Sequence, residues 1–328
     1  MIADAAEKRL GTSHIRPFVL RRDLEGLATL IERAFGGELA ATGNQIVHEM
    51  RRMAPLGAML WAASLFIQPF RGFVWMEGHR LVGNVTLAEE EDHPGIWTVS
   101  SVAVLPEFHG RGIAGQLVDT AIAHVRSHHG RRILLQVRAD NQPAQALYRH
   151  RGFAVFDIVH ELGLAEGGWP VSVGRAPIPL RPVRARDWHA LYRLVEATTP
   201  GGRVRCPIHP RCFRRGFWWR LNQHVQRTLG GPQRLELVGE CEGEIVAYGH
   251  MSVQPSQACY EVTLNVAPGH RGRWELPLVE GLIGMAHPVP RRHLRARVSS
   301  SHPEALRALQ ELGFTMLRTL TQMGLDVA

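Results

Sequence analysis

Apolar positions along the first half of the chain alternate between two periods. Strand-like runs of period two occur at Ile15 to Phe18, Gly72 to Glu77, Arg80 to Glu89, Ile96 to Leu105, Ile133 to Val137 and Phe153 to Leu162. Helix-like patterns of period 3.6 fall between them, at Leu24 to Phe35, across much of Gln45 to Ile67, at Gly112 to His128 and at Gln142 to His150. Gly78-His79 predicts a tight turn joining two of the strands. The order predicts an α/β (α+β) unit, a mixed sheet with helices on both faces.

The second half repeats the first. Ile15-Arg16-Pro17 with Arg22-Asp23 recurs as Leu180-Arg181-Pro182 with Arg186-Asp187, and Glu77-Gly78 as Glu242-Gly243. Val104-Leu105-Pro106 recurs as Val266-Ala267-Pro268, and Gly152-Phe153 as Gly313-Phe314. The pairs keep their order while the offset moves only from 165 (Arg16 to Arg181) to 161 (Gly152 to Gly313). One domain written twice explains this ordering. The expected boundaries are 14–166 for the first copy, a Gly- and Pro-rich linker over 167–177, and 178–328 for the second.

Composition narrows the class. A chain of 328 residues with 45% hydrophobic and 21% charged positions is an ordinary globular protein of about two domains. The longest apolar run, Met53 to Ile67, is shorter than a membrane span and predicts a buried helix, and the charged N-terminal residues do not form a signal peptide. Four cysteines, all in the second half, fit a reducing cytoplasm. Thirty-eight basic against 30 acidic residues give +8, suited to a polyanionic partner, either nucleic acid or a phosphorylated cofactor.

His109-Gly110-Arg111-Gly112-Ile113-Ala114-Gly115 stands between a strand and a helix, where free N–H groups and the helix dipole bind phosphate. Three readings fit this turn alone: a dinucleotide site, with Asp140 downstream as the ribose ligand; a different phosphorylated cofactor; or a helix entry without ligand. Four residues between strand and first glycine, and hairpins in place of an initial βαβ unit, count against the dinucleotide. The next segment separates them further: Val137-Arg138-x-x-Asn141-x-x-Ala144-x-x-Leu147-Tyr148-x-x-x-Gly152-Phe153. Together the two segments resemble the GNAT superfamily of acyl-CoA-dependent N-acyltransferases, over residues 14 to about 166, with His109 where the family has Arg or Gln.

The resemblance implies two tandem GNAT-like domains, each a mixed, mostly antiparallel sheet. It implies acetyl-CoA as cofactor, leaving as coenzyme A. The pantetheine arm would lie along Val102, Ala103 and Val104 where this strand splays from the next. The pyrophosphate would rest on His109, Gly110, Arg111, Gly112, Ile113, Ala114 and Gly115, with Asn141 and Ala144 completing the cofactor site. Tyr148 is the expected general acid toward the CoA thiolate, and a backbone N–H near Val104 the expected oxyanion donor. A base for the amine is sought in Glu89-Glu90-Glu91-Asp92-His93, which also reads as a solvated turn. The implied partner is an amine, a small molecule or a peptide or protein N-terminus, with no membrane and no nucleic acid. The chain would be a monomer with a pseudo-dimeric domain pair, or a homodimer. The alternatives are a non-catalytic acyl-CoA sensor and a dinucleotide-dependent oxidoreductase.

The second copy departs from the motif. Trp274 stands at the position of Gly112, Glu275 opens the helix, His302 replaces Asn141 and Leu309 replaces Tyr148. A bulky group and a like charge at the anion site predict a degenerate copy. Cys206, His209 and Cys212 have an irregular metal-ligand spacing that Pro207 and Pro210 explain as an ordered loop, so no metal is assigned. The arginines and aromatics from Arg203 to Arg227 offer a nucleic-acid surface or, more simply, a solvated face over buried rings.

Overall fold

A computed structural model describes residues 14–42, 46–53, 71–90, 93–170, 179–199, 213, 233–254 and 259–327. The Cys206/His209/Cys212 set, the linker from 171 to 178, Glu91-Asp92, the run from 54 to 67 and the Arg-rich segment other than Phe213 lie outside them. Among the described residues no three metal-ligating side chains come together, and no helix is long and apolar enough to cross a membrane.

Two compact units form: Met1–Gln136 with Pro143–Ala154 and Gly324–Ala328, and Val137–Gln142 with Val155–Met323. The first contains β1 (Ile15–Pro17), α1 (Leu20–Thr42), α2 (Ile46–Met53), β2 (Arg71–Glu77), β3 (Arg80–Glu89), β4 (Ile96–Val104), α3 (Ile113–Ser127) and most of β5 (Arg132–Arg138) and α4 (Gln142–Arg149). Its strands lie in the order β1-β2-β3-β4-β5, antiparallel except for the parallel pair β4/β5. Of the helix expected over 45–67 only Ile46–Met53 is described. Among the described residues the predicted elements match within a few residues, except that α1 runs on through Gly36-Gly37 to Thr42. Glycine there costs helix stability without stopping the helix.

The second unit repeats the plan with β6 (Ala154–Leu164), β7 (Leu180–Pro182), α5 (Trp188–Thr198), β8 (Gln233–Cys241), β9 (Glu244–Val253), β10 (Cys259–Val266), α6 (Glu275–Met285), β11 (His293–Ser299), α7 (Pro303–Glu311) and most of β12 (Thr315–Asp326). Its parallel pair β10/β11 matches β4/β5, four residue pairs in each. A buried ion pair is duplicated as well. Asp23 takes Arg16 at 2.6 and 2.7 Å and the Val19 N–H, while Asp187 takes Arg181 at 2.7 and 3.1 Å and the Arg184 N–H. Burial would raise both carboxyls, but these bonds and charges hold them below the usual carboxylate range.

Sequence repeats and compact units divide the chain at different places. β6 ends the first repeat, yet residues from Val155 onward belong to the second unit, where β6 pairs antiparallel with β11 from Leu164↔Leu294 to Val159↔Ser299. The last residues of the chain belong to the first unit, where the Val327 N–H donates to Arg131 O (2.9 Å) and Arg132 bonds Asp326 (2.6 Å). After a duplication the closing strands of the two copies are near-equivalent, so β6 finds in β11 a partner like that of its own copy.

Candidate active site

The site is built on one interruption of the first sheet. β4 pairs with β5 only from Ile96↔Arg132 to Val99↔Leu135, and β5 has no partner in β4 beyond that point. On its other side β4 stays with β3, but the register steps from Leu87↔Val99 to Thr86↔Ser101, leaving Ser100 as a bulge. The bulge lies where β4 leaves β5, but β10 leaves β11 after the same four pairs, so the parting belongs to both repeats and the bulge only adds a local bend. The β9/β10 register runs without a step, so the bulge is peculiar to the first unit.

Backbone alternation decides which groups face the gap. The Leu105 N–H donates to Val82 O toward β3, so the N–H groups of Val102 and Val104 point the opposite way. Val104 O is engaged by the His109 ring, whose Nε2 donates at 2.9 Å. The His109 N–H is engaged as well, with Pro106 O at 3.1 Å. His109 thus fixes the loop against the end of β4, with its N–H and its Nε2 both engaged within the loop. Arg271 takes the same place in the second unit, its Nε reaching Val266 O at 3.5 Å.

Beyond the 3₁₀ turn Pro106–Phe108, Gly110 (φ 75°) and Gly112 (φ 74°) adopt the left-handed conformation, and Gly112 caps α3. Side chains are disfavoured there, and the space above both glycines is open. The first bond of α3 runs from Gln116 N–H to Gly112 O, so the N–H groups of Ile113, Ala114 and Gly115 have no acceptor within the helix. Arg111 lies over the Phe108 ring at 4.7 Å. Gly115 has a packing reason for lacking a side chain: the Arg151 guanidinium would lie 2.4 Å from a Cβ there, held by Asp119 at 2.7 and 3.0 Å. This cradle of N–H groups fits a diphosphate, and the strand gap fits an extended amide chain.

Tyr148, on α4, is buried with its ring 5.7 Å from that of Phe153. Its hydroxyl makes no hydrogen bond among the described residues, and burial pushes it up to about 12. Val102 to Val104, His109 to Gly115, Ala144 and Tyr148 fall in the first unit, whereas Asn141 is in the Val137–Gln142 segment of the second. Asp140, the residue a dinucleotide site would use, is clamped by Arg138 at 2.9 and 2.5 Å, which holds it below the usual range. Of the acidic run, Glu89 accepts the Gly95 N–H and Glu90 the Thr98 hydroxyl.

The paired stretch of β4 is seated by Trp97, whose ring meets His124 of α3 and His128, which caps that helix, edge-on. Burial first, then the charges of His128 and Arg71, holds His124 down at about 4, so it packs as a neutral ring at physiological pH. A cleft of about 640 Å³ between α1 and the β2–β3 turn carries Arg16, Arg22, Arg33, His79 and Arg80. Arg16 and Arg22 pair with Asp23, and Arg33 and Arg80 with Glu107, so the cofactor is not assigned to it.

Comparison with known proteins agrees with this geometry. The acetyltransferase (GNAT) family model matches residues 38–153. Over this stretch the chain is similar to GNAT acetyltransferases. A mycothiol acetyltransferase of Corynebacterium glutamicum is 33% identical over 91 residues, which cover 27% of this chain and 30% of that protein. The chain therefore spans less than a third of the length of this curated relative. A GCN5-related N-acetyltransferase from Sphaerobacter thermophilus has the same fold over 96% of both chains, with a TM-score of 0.62 at 17% identity. A tandem GNAT protein from the clavulanic acid biosynthesis pathway aligns over 96% of this chain and 98% of its own, with a TM-score of 0.54 at 16% identity. The fold is that of tandem GNAT proteins.

The loop of the second unit is closed by its own side chains. Gly272 keeps the left-handed conformation (φ 84°), but Trp274 is fully buried against Gly239. Glu275 is 1% exposed. Its Oε2 accepts the N–H of Gly272 (2.9 Å) and Trp274 (3.1 Å), and His302 Nε2 meets Oε1 at 2.8 Å. The sequence suggests that Glu275 would repel an anion; in the structure its carboxylate accepts the loop N–H groups of Gly272 and Trp274.

Proposed function

We propose that the first unit is an N-acetyltransferase that moves an acetyl group from acetyl-CoA to a primary amine by direct attack on the thioester. The observation that carries this reading is the coincidence of the β4/β5 gap with the open, left-handed Gly110–Gly112 loop at the start of α3. Bound acetyl-CoA supplies the activated thioester. The N–H groups from Gly110 to Ala114 hold its diphosphate, and those of Val102 and Val104 pair with the pantetheine arm or the developing oxyanion. The amine nitrogen forms the new bond to the carbonyl carbon, the carbon–sulfur bond breaks, and Tyr148 gives its proton to the thiolate.

Burial makes Tyr148 a weaker acid than its residue type suggests. A thiol near about 8.5 lies roughly 3.5 units below it, so an isolated transfer costs about 5 kcal/mol. The neutral amine attacks, and the proton its nitrogen then carries in excess passes to the Tyr148 phenolate, directly or through water, so that the phenol is restored and charge balances in the same step. The second unit, with Glu275 bonded to its loop N–H groups and Leu309 at the place of Tyr148, is a degenerate copy, and the chain takes one cofactor.

A thiol-release assay with acetyl-CoA and a panel of peptides, polyamines, amino acids and aminoglycosides tests the reading. Amine-dependent release of free thiol is expected with at least one class. Binding of acetyl-CoA without release on any amine would replace the enzyme with a non-catalytic acyl-CoA sensor.

A further inference from the structure

The central strands of the first unit bury a polar stripe that the fold does not require. Gly83 of β3 faces Ile113 and Leu117 of α3, so Asn84 and Thr86 face the other way. Asn84 is 1% exposed and Thr86 7%. Across the ladder Thr86 pairs with Ser101, the residue next to the Ser100 bulge. The three side chains form a closed cluster: Asn84 Nδ2 donates to Thr86 Oγ1 at 3.0 Å, and Ser101 Oγ lies 3.3 Å from Asn84 Oδ1 and 3.2 Å from Thr86 Oγ1. Further along the same face Thr98 donates to Glu90 at 2.8 Å.

The second unit is an internal control. Tyr248 and His250 stand at the positions of Asn84 and Thr86, since β9 follows β3 at an offset of 164, and His250 pairs with Thr263 as Thr86 pairs with Ser101. There the Tyr248 ring fills the space, packed in one cluster with Leu191 and Leu194 of α5 and bonded to Glu236 at 2.6 Å. The same fold is thus compatible with a bulky plug at this place, and the first unit keeps three small polar groups instead.

Position supplies the other half of the argument. If the diphosphate sits at Gly110–Gly112 and the pantetheine arm runs back along Val104 to Val102, the acyl end reaches the bulge, beside Ser101. The cluster does not exhaust its own hydrogen-bonding capacity: Asn84 has a second N–H beyond the one given to Thr86, and the single Ser101 proton serves only one of its two neighbouring acceptors at a time. Those groups carry no charge.

We infer that Asn84, Thr86 and Ser101 form the floor of the acceptor site and select amines that carry a neutral hydrogen-bonding group, a hydroxyl or amide, a few bonds from the nitrogen. The inference rests on the acetyltransferase reading above and goes beyond it by naming the acceptor class and the residues that choose it. In this role the three are specificity-determining groups, and the chemistry of acyl transfer is left to the cofactor cleft and Tyr148.

The test compares 3-amino-1,2-propanediol with n-propylamine, amines of one carbon skeleton that differ in two hydroxyls. The ratio of their kcat/KM values is measured for the unaltered chain, Thr86→Val and Ser101→Ala, with the acetyl-CoA Kd measured alongside. Each substitution is expected to lower the diol-to-propylamine ratio about tenfold, the size of one lost neutral hydrogen bond, with the Kd unchanged. Comparing ratios between variants cancels the different basicities of the two amines. A ratio unchanged in both variants overturns the inference and leaves the cluster as packing. Acetyl-CoA binding with no turnover of the diol also overturns it without touching the cofactor assignment, whereas loss of acetyl-CoA binding by the unaltered chain defeats the underlying reading itself.

Discussion

Tyr148→Phe lowers turnover on any amine acceptor by about 10²-fold or more and leaves acetyl-CoA affinity within about twofold. The substitution removes one oxygen and keeps the ring, so the edge-on contact with Phe153 and the burial of α4 persist. Because the hydroxyl bonds no group among the described residues, its loss orphans no partner there, and stability changes by less than about 1 kcal/mol. The pH profile carries a second signature. With the phenol pushed up to about 12, it stays protonated across the working range. The rate therefore rises with pH as the acceptor amine deprotonates, with no fall from tyrosine ionisation until about pH 11. Steady-state kinetics from pH 6 to 10 for both proteins check both points, and equal turnover would remove Tyr148 from the chemistry.

Glu275→Ala destabilises the second unit by about 2–4 kcal/mol, because it strips an acceptor from two backbone N–H groups and from His302 in a buried site. Burial alone would raise this carboxyl. The His302 bond, the backbone N–H groups and the His302 charge outweigh it and hold the group below its ordinary value. A lowered folded value means that the stabilisation is present above the unfolded value near about 4.5 and is lost as pH falls through the folded one. Chemical denaturation from pH 7 downward tests this: the gap between Glu275→Ala and the unaltered chain is expected to be widest near pH 7 and to shrink as pH falls below about 4.5. The same variant gains no cofactor site, since Trp274 still fills the place of Gly112.

The readability of the chain differed by feature for physical reasons. The β2–β3 hairpin was legible because strand alternation and a Gly turn, with Gly78 at φ 59°, report the same local geometry. The duplication was legible because sequence offsets survive folding. The placement of β6 in the second unit was not, since a closing strand suits either copy and only tertiary pairing selects between them. The Ser100 bulge leaves no mark, as a serine in a strand is unremarkable until the register steps. His109 was expected to present its backbone to phosphate, yet both its N–H and its ring turn inward to the loop. Asn84 and Thr86 read as one polar side of an ordinary alternating strand, and only their burial shows otherwise. The net charge of +8 has only a partial explanation in this site, because several arginines near the loop are already paired with acids.

The central claim is that this chain has one open cofactor site, at Gly110–Gly112, and one closed by its own Glu275 and Trp274. Calorimetric titration of the whole chain with acetyl-CoA tests it most directly. One equivalent is expected to bind, and Gly112→Trp, which copies the second unit's residue into the first, is expected to abolish binding while the protein stays folded. Two equivalents, none, or binding unaffected by Gly112→Trp would contradict the account.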